Sequence, residues 1–348
     1  MWLRRYCGGC TVESISVALA TLNGAAFINK QLESIAQQTR LPDELIVCDD
    51  GSTDGTVELV QKFAATAPFP VHLSVNEERL GYRRNFLKAV SQCHGDLISF
   101  CDQDDIWRRP RLRRMARALK KPDVVLAFHN ATIVDGRGAP LGHTFKLTTE
   151  NIYAPHELSP WAIVPGNSQM FRRSLLSYLD LYENSIDIYQ PNEKMPHDQW
   201  FVFLASIFGS IAYVPERLVL YRQHRLNSSG WLPSAPLAYA VHSLTHARYY
   251  AHAASLGVAN RLSMLTELRR RGHQLDKVNA AIDHYLAMKR YADLRMRLYN
   301  SKSLRSRAYS VFSLIRDRAY TKPRTKLGVD NLLLDMCVGL PIGPISQR

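Results

Sequence analysis

Residues 43–64 read DELIVCDDGSTDGTVELVQKFA. A run of Leu45, Ile46, Val47 and Cys48 is too short for a helix and suits a strand buried on both faces. It stops at Asp49-Asp50-Gly51-Ser52-Thr53-Asp54-Gly55, a cluster of turn formers, and helical spacing resumes at Thr56. Strand, polar turn, helix is one step of an α/β chain, and the step repeats on either side. ISVALA (15–20) precedes a helix, with Asn23 as a candidate cap and Phe27, Leu32 and Ile35 along one face. VHLSV (71–75) precedes a helix over 83–93. DLISFC (96–101) is followed by a basic helix opened by Pro110, and VVLAFH (124–129) is a fifth strand. Such alternation predicts a mostly parallel sheet covered by helices.

From Asn130 onward the pattern loosens. Residues 130–195 suggest hairpins and loops, followed by a helix over 197–208 and two short strands, IAYV (211–214) and RLVLYR (217–222). After Pro233 the periodicity is helical. Charge changes at the same place. Of 44 Lys and Arg and 31 Asp and Glu, residues 1–231 hold 25 and 24, whereas residues 232–348 hold 19 and 7. The division expected is therefore a leader over 1–13, disordered, an α/β domain over 14–231 and a basic helical region over 232–348.

A composition of 46% hydrophobic and 22% charged residues in 348 excludes a disordered or collagen-like chain. Six cysteines, at 7, 10, 48, 93, 101 and 337, are too few and scattered for a disulfide scaffold and suit a reducing cytosol. Cys7-Gly-Gly-Cys10 has no second pair to complete a zinc site. No apolar run reaches about 18 residues, so no bilayer span is expected. MWLRRYCGGCTVES lacks the apolar stretch of a secretory signal.

In open α/β sheets, ligands bind beyond the carboxyl ends of the strands. Two polar motifs sit at such ends: Asp49-Asp50-Gly51-Ser52, and Asp102-Gln103-Asp104-Asp105. The first is equally a turn with a helix cap. In the second, Asp102 and Asp104 are two apart and project to the same side of an extended chain. That pair suits a hard divalent cation that keeps water and phosphate as its other ligands. An acidic loop in water is the plainer alternative.

With these motifs in hand, residues 14–230 resemble the family 2 glycosyltransferases of the GT-A fold. The resemblance is carried, in order, by ISVALATLNGAAFINKQLESIAQQT, DELIVCDDGSTDGT, NEERLGYRRNFLKAV, FCDQDDIW, GNSQMFRR, HDQW and YRQHRLNSSG. It implies an α/β GT-A nucleotide-sugar transferase domain with a C-terminal helical extension. It also implies roles by position. Asp50 would bond a pyrimidine base, with the backbone around Ala20 and Leu22 completing that pocket. Arg84 would reach the nucleotide or its phosphates. Asp102 would contact the ribose or sugar, and Asp104 would ligate Mg²⁺ or Mn²⁺, with Asp105 supporting it and His224 completing the metal site. Asp198 would be the general base of an inverting transfer.

Some assignments have competing readings. An acidic residue such as Asp198 also suits the first turn of any helix. Trp107 and Trp200 follow polar motifs and suit either a sugar ring or the core beside it. Leu22 stands where the family often has Tyr, and Arg79, Arg83 and Arg84 crowd six residues.

The resemblance points to a saccharide acceptor, lipid-linked, in a bacterial O-antigen or capsule, and to dTDP-rhamnose or a UDP-hexose as donor. The competing functions are a non-catalytic nucleotide-sugar binder and a sugar nucleotidyltransferase. The latter normally needs a glycine-rich phosphate loop, which TLNGAAF is not. In the basic region, Leu304, Ala308, Val311, Ile315 and Ala319 recur at helical steps among Lys302, Arg305, Arg307, Arg316 and Arg318. This basic amphipathic helix suits an anionic membrane surface, or plain packing on neighbouring helices, and the resemblance implies the cytoplasmic face of the inner membrane. No basic stripe with interleaved aromatics marks nucleic-acid binding.

Overall fold

The computed structural model describes residues 6–7, 10–224, 227, 236–320, 332 and 335–340. Most of the leader lies outside them, as do the side chains of Cys7 and Cys10 and most of YRQHRLNSSG beyond His224. A short antiparallel pair, β1 (Tyr6–Cys7) and β2 (Cys10–Thr11), comes first. The main sheet is built from β3 (Ile15–Thr21), β4 (Glu44–Asp49), β5 (Val71–Val75), β6 (Leu97–Asp102), β7 (Ile106–Trp107), β8 (Val124–Asp135), β9 (Pro140–His143), β10 (Asn151–Tyr153), β11 (Gln169–Arg172) and β12 (Ser210–Gln223). Its order is β10-β12-β8-β11-β6-β3-β4-β5, with β7 against β12 and β9 against β8.

The half formed by β6, β3, β4 and β5 is parallel. β11 runs antiparallel between β6 and β8 and joins that half to the parallel pair β8 and β12. This is the mixed, mostly parallel α/β architecture of the GT-A fold.

Alternation along the strands sets the two faces. Ile15, Val17 and Leu19 of β3 pack into one core with Leu32 and Ile35 of α1 (Ile28–Ala36), Val60 of α2 (Thr56–Ala64) and Met115 of α4 (Arg111–Ala118). On the other face Phe100 of β6 meets Phe86 of α3 (Gly81–Ser91) and Phe201 of α5 (His197–Phe208) edge to face, at 5.4 and 5.5 Å.

Several expected boundaries shift. Residues 211–214 and 217–222 form one strand, β12, with register shifts around Val214 and Arg217 in place of a turn. β8 continues six residues past His129, because its parallel pairing with β12 resumes beyond those shifts. Asn23 does not cap α1, which starts at Ile28 behind Phe27. It sits at φ 48°, and its Oδ1 accepts from the Thr53 amide at 2.9 Å, tying the β3 end to the β4 turn. In that turn Gly51 and Gly55 both take φ near +85°, a conformation that favours glycine, and Gly55 leads into α2.

The chain divides into two compact units, residues 1–155, 163–180 and 196–231, and residues 156–162, 181–195 and 232–348. In the second, α6 (Pro236–Arg270), α7 (Leu275–Asn300) and α8 (Leu304–Arg316) share a core of Ala247, Ala251, Leu298, Tyr299 and Val311. The buried guanidinium of Arg295 grips Asp335 through both carboxylate oxygens, and the hydroxyls of Tyr299 and Tyr320 each donate to the same group at 2.8 Å. Gly257 of α6 leaves room for Trp161, since a β-carbon there would lie 2.7 Å from its ring.

Candidate active site

β3, β4 and β6 end side by side, with Ala20 opposite Cys48 on one neighbour and Asp102 on the other. The polar turns that follow therefore meet. Gln103 joins them: its Oε1 accepts from the Leu22 amide and its Nε2 donates to the Leu22 carbonyl, both at 2.9 Å. This clamp needs Gly24, where a β-carbon would lie 2.2 Å from Gln103 Oε1.

Asp50 is buried at the end of β4. Its Oδ1 accepts from Asn76 Nδ2 and the Leu80 amide at 2.8 and 2.7 Å, and its Oδ2 accepts from the Gly81 amide at 2.9 Å. Asp50 thus anchors the amino end of α3, where a carboxylate is favoured by the exposed amides. Asp49 does the same locally for its own turn, accepting from the Gly51 and Ser52 amides.

After β6 the chain turns at Gln103-Asp104, so the acidic motif is a tight turn and not the extended run its spacing suggested. Asp104 is buried, with Oδ2 2.9 Å from His224 Nε2 and 3.2 Å from Asn227 Nδ2. His224 is in turn stacked on Phe27, ring centroids 4.5 Å apart. Asp105 points inward. It accepts from Asn167 Nδ2 at 2.6 Å and from the Arg222 amide at 3.0 Å, so it ties the turn to the Gly166–Ser168 segment and to β12.

Asp198 stands in the first turn of α5 and its field reaches Asp102, as does that of Asp104. Burial and those two neighbours push Asp102 up to about 8. Burial raises Asp104 against the pull of His224, and it pushes Asp198 up to about 6 despite the Gln199 amide and the Arg83 charge. Of the arginines in the 79–84 run, Arg83 is the one whose charge acts on Asp198 and His197, while Arg84 is exposed.

Two tryptophans turn inward. Trp107 is 3% exposed, its ring carrying the Arg111 guanidinium at 3.7 Å, and Trp200 is fully buried. Both rings pack in the core.

Four supporting residues had no clear signal. Arg111 looks like one more surface arginine in RRPRLRRM, yet it is fully buried. It donates to His129 Nε2, Ser99 Oγ and the Asn167 carbonyl at 2.7–2.9 Å, and burial pulls it down to about 9. Arg222, within the YRQH block, donates from Nε to the Asp104 carbonyl at 2.9 Å. Gln103 sits unremarked between two aspartates. His197 is buried between Phe86, centroid 4.0 Å away, and Phe100, and neither ring nitrogen has a hydrogen-bond partner; burial pulls it down to about 3.

Among the described residues no three His, Cys, Asp or Glu side chains converge to cage a metal. The donors that do meet are Asp104 and His224. A carboxylate and an imidazole on one side fit a divalent cation whose remaining positions go to water and phosphate oxygens.

The sequence profile of Glycosyl transferase family 2 matches residues 16–179. The chain is 27% identical over 213 residues to an uncharacterized protein of Mycobacterium tuberculosis, covering 60% of this chain and 59% of that protein, so the match spans about three-fifths of that relative. It is 25% identical over 222 residues to the dTDP-rhamnosyl transferase RfbG of Shigella flexneri, covering 61% and 73% of the two chains. In fold it is similar to S. aureus TarS 1–349 in complex with UDP, with TM-score 0.52 and 18% identity over 93% of this chain and 90% of that one. Residues 16–179 thus match glycosyltransferase family 2, and the fold is that of its GT-A neighbours.

Proposed function

We propose that this protein transfers a sugar, with inversion, from a nucleotide-sugar to a saccharide acceptor in the assembly of a bacterial surface polysaccharide. The observation that carries the reading is the meeting of Asp102, Asp104 with His224, and Asp198 at the carboxyl ends of the sheet. A relative named as a dTDP-rhamnosyl transferase supports dTDP-rhamnose as the first donor to try, and a fold neighbour that binds UDP keeps UDP-hexoses in the panel.

In this reading Asp104 and His224 hold Mn²⁺ or Mg²⁺, which when bound stabilises the charge of the leaving diphosphate. The base of the nucleotide lies against the Leu22 backbone, which the Gln103 clamp holds in place. Asp50 stays anchored to α3 and offers a remaining lone pair to the base, since each carboxylate oxygen can accept twice. Arg84, exposed at the start of α3, reaches for the phosphates. Asp102 orients the ribose or sugar. Asp198 takes the proton of the acceptor hydroxyl, and its raised affinity for protons suits a base working near neutral pH. One carboxylate acting opposite the leaving group gives a single displacement and therefore inversion.

The acceptor is lipid-linked in this reading, and the protein works from the cytoplasmic face of the inner membrane. The excess charge of residues 232–348 supports a peripheral attachment.

The test is turnover with a panel of dTDP- and UDP-sugars, with and without Mn²⁺. Cation-dependent release of nucleoside diphosphate supports the proposal. Release of pyrophosphate would indicate a nucleotidyltransferase. Donor binding without turnover on any saccharide would indicate a non-catalytic binder.

A further inference from the structure

The helix α8 does not bury its apolar residues in the way its sequence suggests. Val311 and Leu314 face the core with Ser310 and Arg307, whereas Leu304, Tyr309, Phe312 and Ile315 are 59%, 55%, 64% and 47% exposed. At 100° per residue these four lie within an arc of about 140° on one side of the helix. Arg305 and Arg316 fall inside the same arc and are exposed too. Single exposed apolar residues are ordinary, but four large ones on a 13-residue helix form a contact surface.

Beside one end of that surface is a recess of about 500 Å³, lined by Arg290, Tyr291, Arg316, Asp317 and Arg318. Arg290 and Arg316 approach Asp317 at 2.6 and 3.1 Å. Two guanidiniums share the one carboxylate, and guanidinium suits phosphate oxygens. Apolar and aromatic side chains interleaved with arginines, next to an arginine-lined recess, are what the headgroup boundary of an anionic bilayer selects. The rings and aliphatic chains enter the acyl region while the guanidiniums reach back to the phosphates. No described helix is long and apolar enough to cross a membrane, so the contact is interfacial.

We propose that the exposed face of α8, with the Arg290–Arg316–Arg318 recess, docks the protein on the anionic phospholipid surface of a bilayer. This rests on the peripheral attachment proposed above and assigns it to one helix face. A second copy would bring the same positive surface against itself.

The test uses the full chain in co-sedimentation with vesicles of phosphatidylcholine alone or with 30 mole per cent phosphatidylglycerol (roughly the anionic fraction that gives a substantial surface potential). The variants are Phe312→Ser with Ile315→Ser, and Arg305→Gln with Arg316→Gln. All four side chains are exposed, and unchanged thermal melting would show that the fold is kept. The wild type should sediment with anionic vesicles and far less with neutral ones. The apolar pair should weaken partitioning by about ten- to a hundredfold, and the arginine pair by roughly five-fold per charge removed. Failure of the wild type to bind either vesicle would overturn peripheral attachment itself. Binding that survives both double variants would overturn the assignment to α8 and leave attachment standing. A lipid-free dimer that becomes monomeric in the Phe312→Ser, Ile315→Ser variant would give the face to a second copy and overturn the proposal.

Discussion

Replacing Asp198 by Asn removes the proton acceptor while keeping its shape. Burial holds the Asp198 carboxyl near 6, against 3.8 for an unperturbed aspartate. A group with that affinity is about nine-tenths ionised at pH 7 and about one-tenth ionised at pH 5. If it is the base, kcat/KM measured at saturating cation should fall about tenfold per pH unit below 6, because only the ionised form accepts a proton. Saturating the proposed cation site would hold Asp104 ionised, and Asp102, pushed up to about 8, titrates well above a limb near 6. The Asn variant should lose about 10²- to 10⁴-fold in turnover, or about 3–5 kcal/mol of transition-state stabilisation, while still binding the donor. The same shift makes a second, opposite prediction. A folded-state value above the unfolded one means the native state binds the extra proton between about pH 4 and 6, so stability is lost as pH rises through that window. The full shift corresponds to about 3 kcal/mol, and because the side chain is partly exposed about 1–2 kcal/mol is the expected effect. Asp198→Asn should therefore melt higher than the wild type at pH 7 while being far less active. Release of nucleoside diphosphate followed from pH 5 to 8, with melting curves alongside, checks both. Ordinary turnover in the variant, or a limb centred near 4, would refute the assignment.

Gly166→Ala places a β-carbon 2.8 Å from His197 Nε2 and 3.5 Å from the Asp198 β-carbon, so the start of α5 must shift. Overpacking of this kind costs about 1–3 kcal/mol in denaturant melts, and turnover should fall more than donor affinity. Gln103→Ala releases the Leu22 backbone from two hydrogen bonds and should weaken donor binding by about 1–2 kcal/mol, read as a higher KM with little change in kcat. His224→Ala should raise the Mn²⁺ concentration needed for half-maximal turnover. An unchanged requirement would remove His224 from the metal proposal.

The parallel strands were legible because each is an unbroken run of Val, Ile and Leu ended by turn residues, as in ELIVCDDGSTDG. What could not be read lies where two segments distant in the chain decide the outcome together. β12 looks like two strands because Pro215 and Glu216 resemble a turn, and only pairing with β8 carries it through as one. Arg111 has the sequence surroundings of a solvated arginine, and its burial depends on carbonyls and side chains contributed by β6, β8 and the Asn167 segment. On α8 the periodicity showed a stripe but not which side faces the core. Leu304 and Ile315 share the helical step of Val311, yet they are exposed with Tyr309 and Phe312 while Val311 is buried. At the candidate site, Asp102, Asp104, Asp198 and His224 do come together, although they are far apart in the chain. Gln103 and Arg222 carry no chemistry in themselves, so spacing gave no reason to single them out.

Two buried arginines explain how a turn with three aspartates keeps its shape. Carboxylates this close repel, and the raised proton affinities of Asp102 and Asp105 express that repulsion together with burial, while burial alone raises Asp104. Direct ion pairs with arginine would relieve it, but they would also occupy the oxygens that the proposed cation would need. Arg222 instead donates from Nε to the backbone carbonyl of Asp104, and Arg111 donates to Ser99, His129 and the Asn167 carbonyl. Both fix the path of the chain, and Arg111 also adds a favourable field at Asp102 without taking its oxygens. Asp105 is spent on the same framework through Asn167 and the Arg222 amide. The polar partners of Asp104 are His224 and Asn227, groups a cation can displace or share. For the proposed transfer, a preset backbone with underneutralised carboxylates would need little reorganisation before charge stabilisation, the condition under which fixed electrostatics act most strongly.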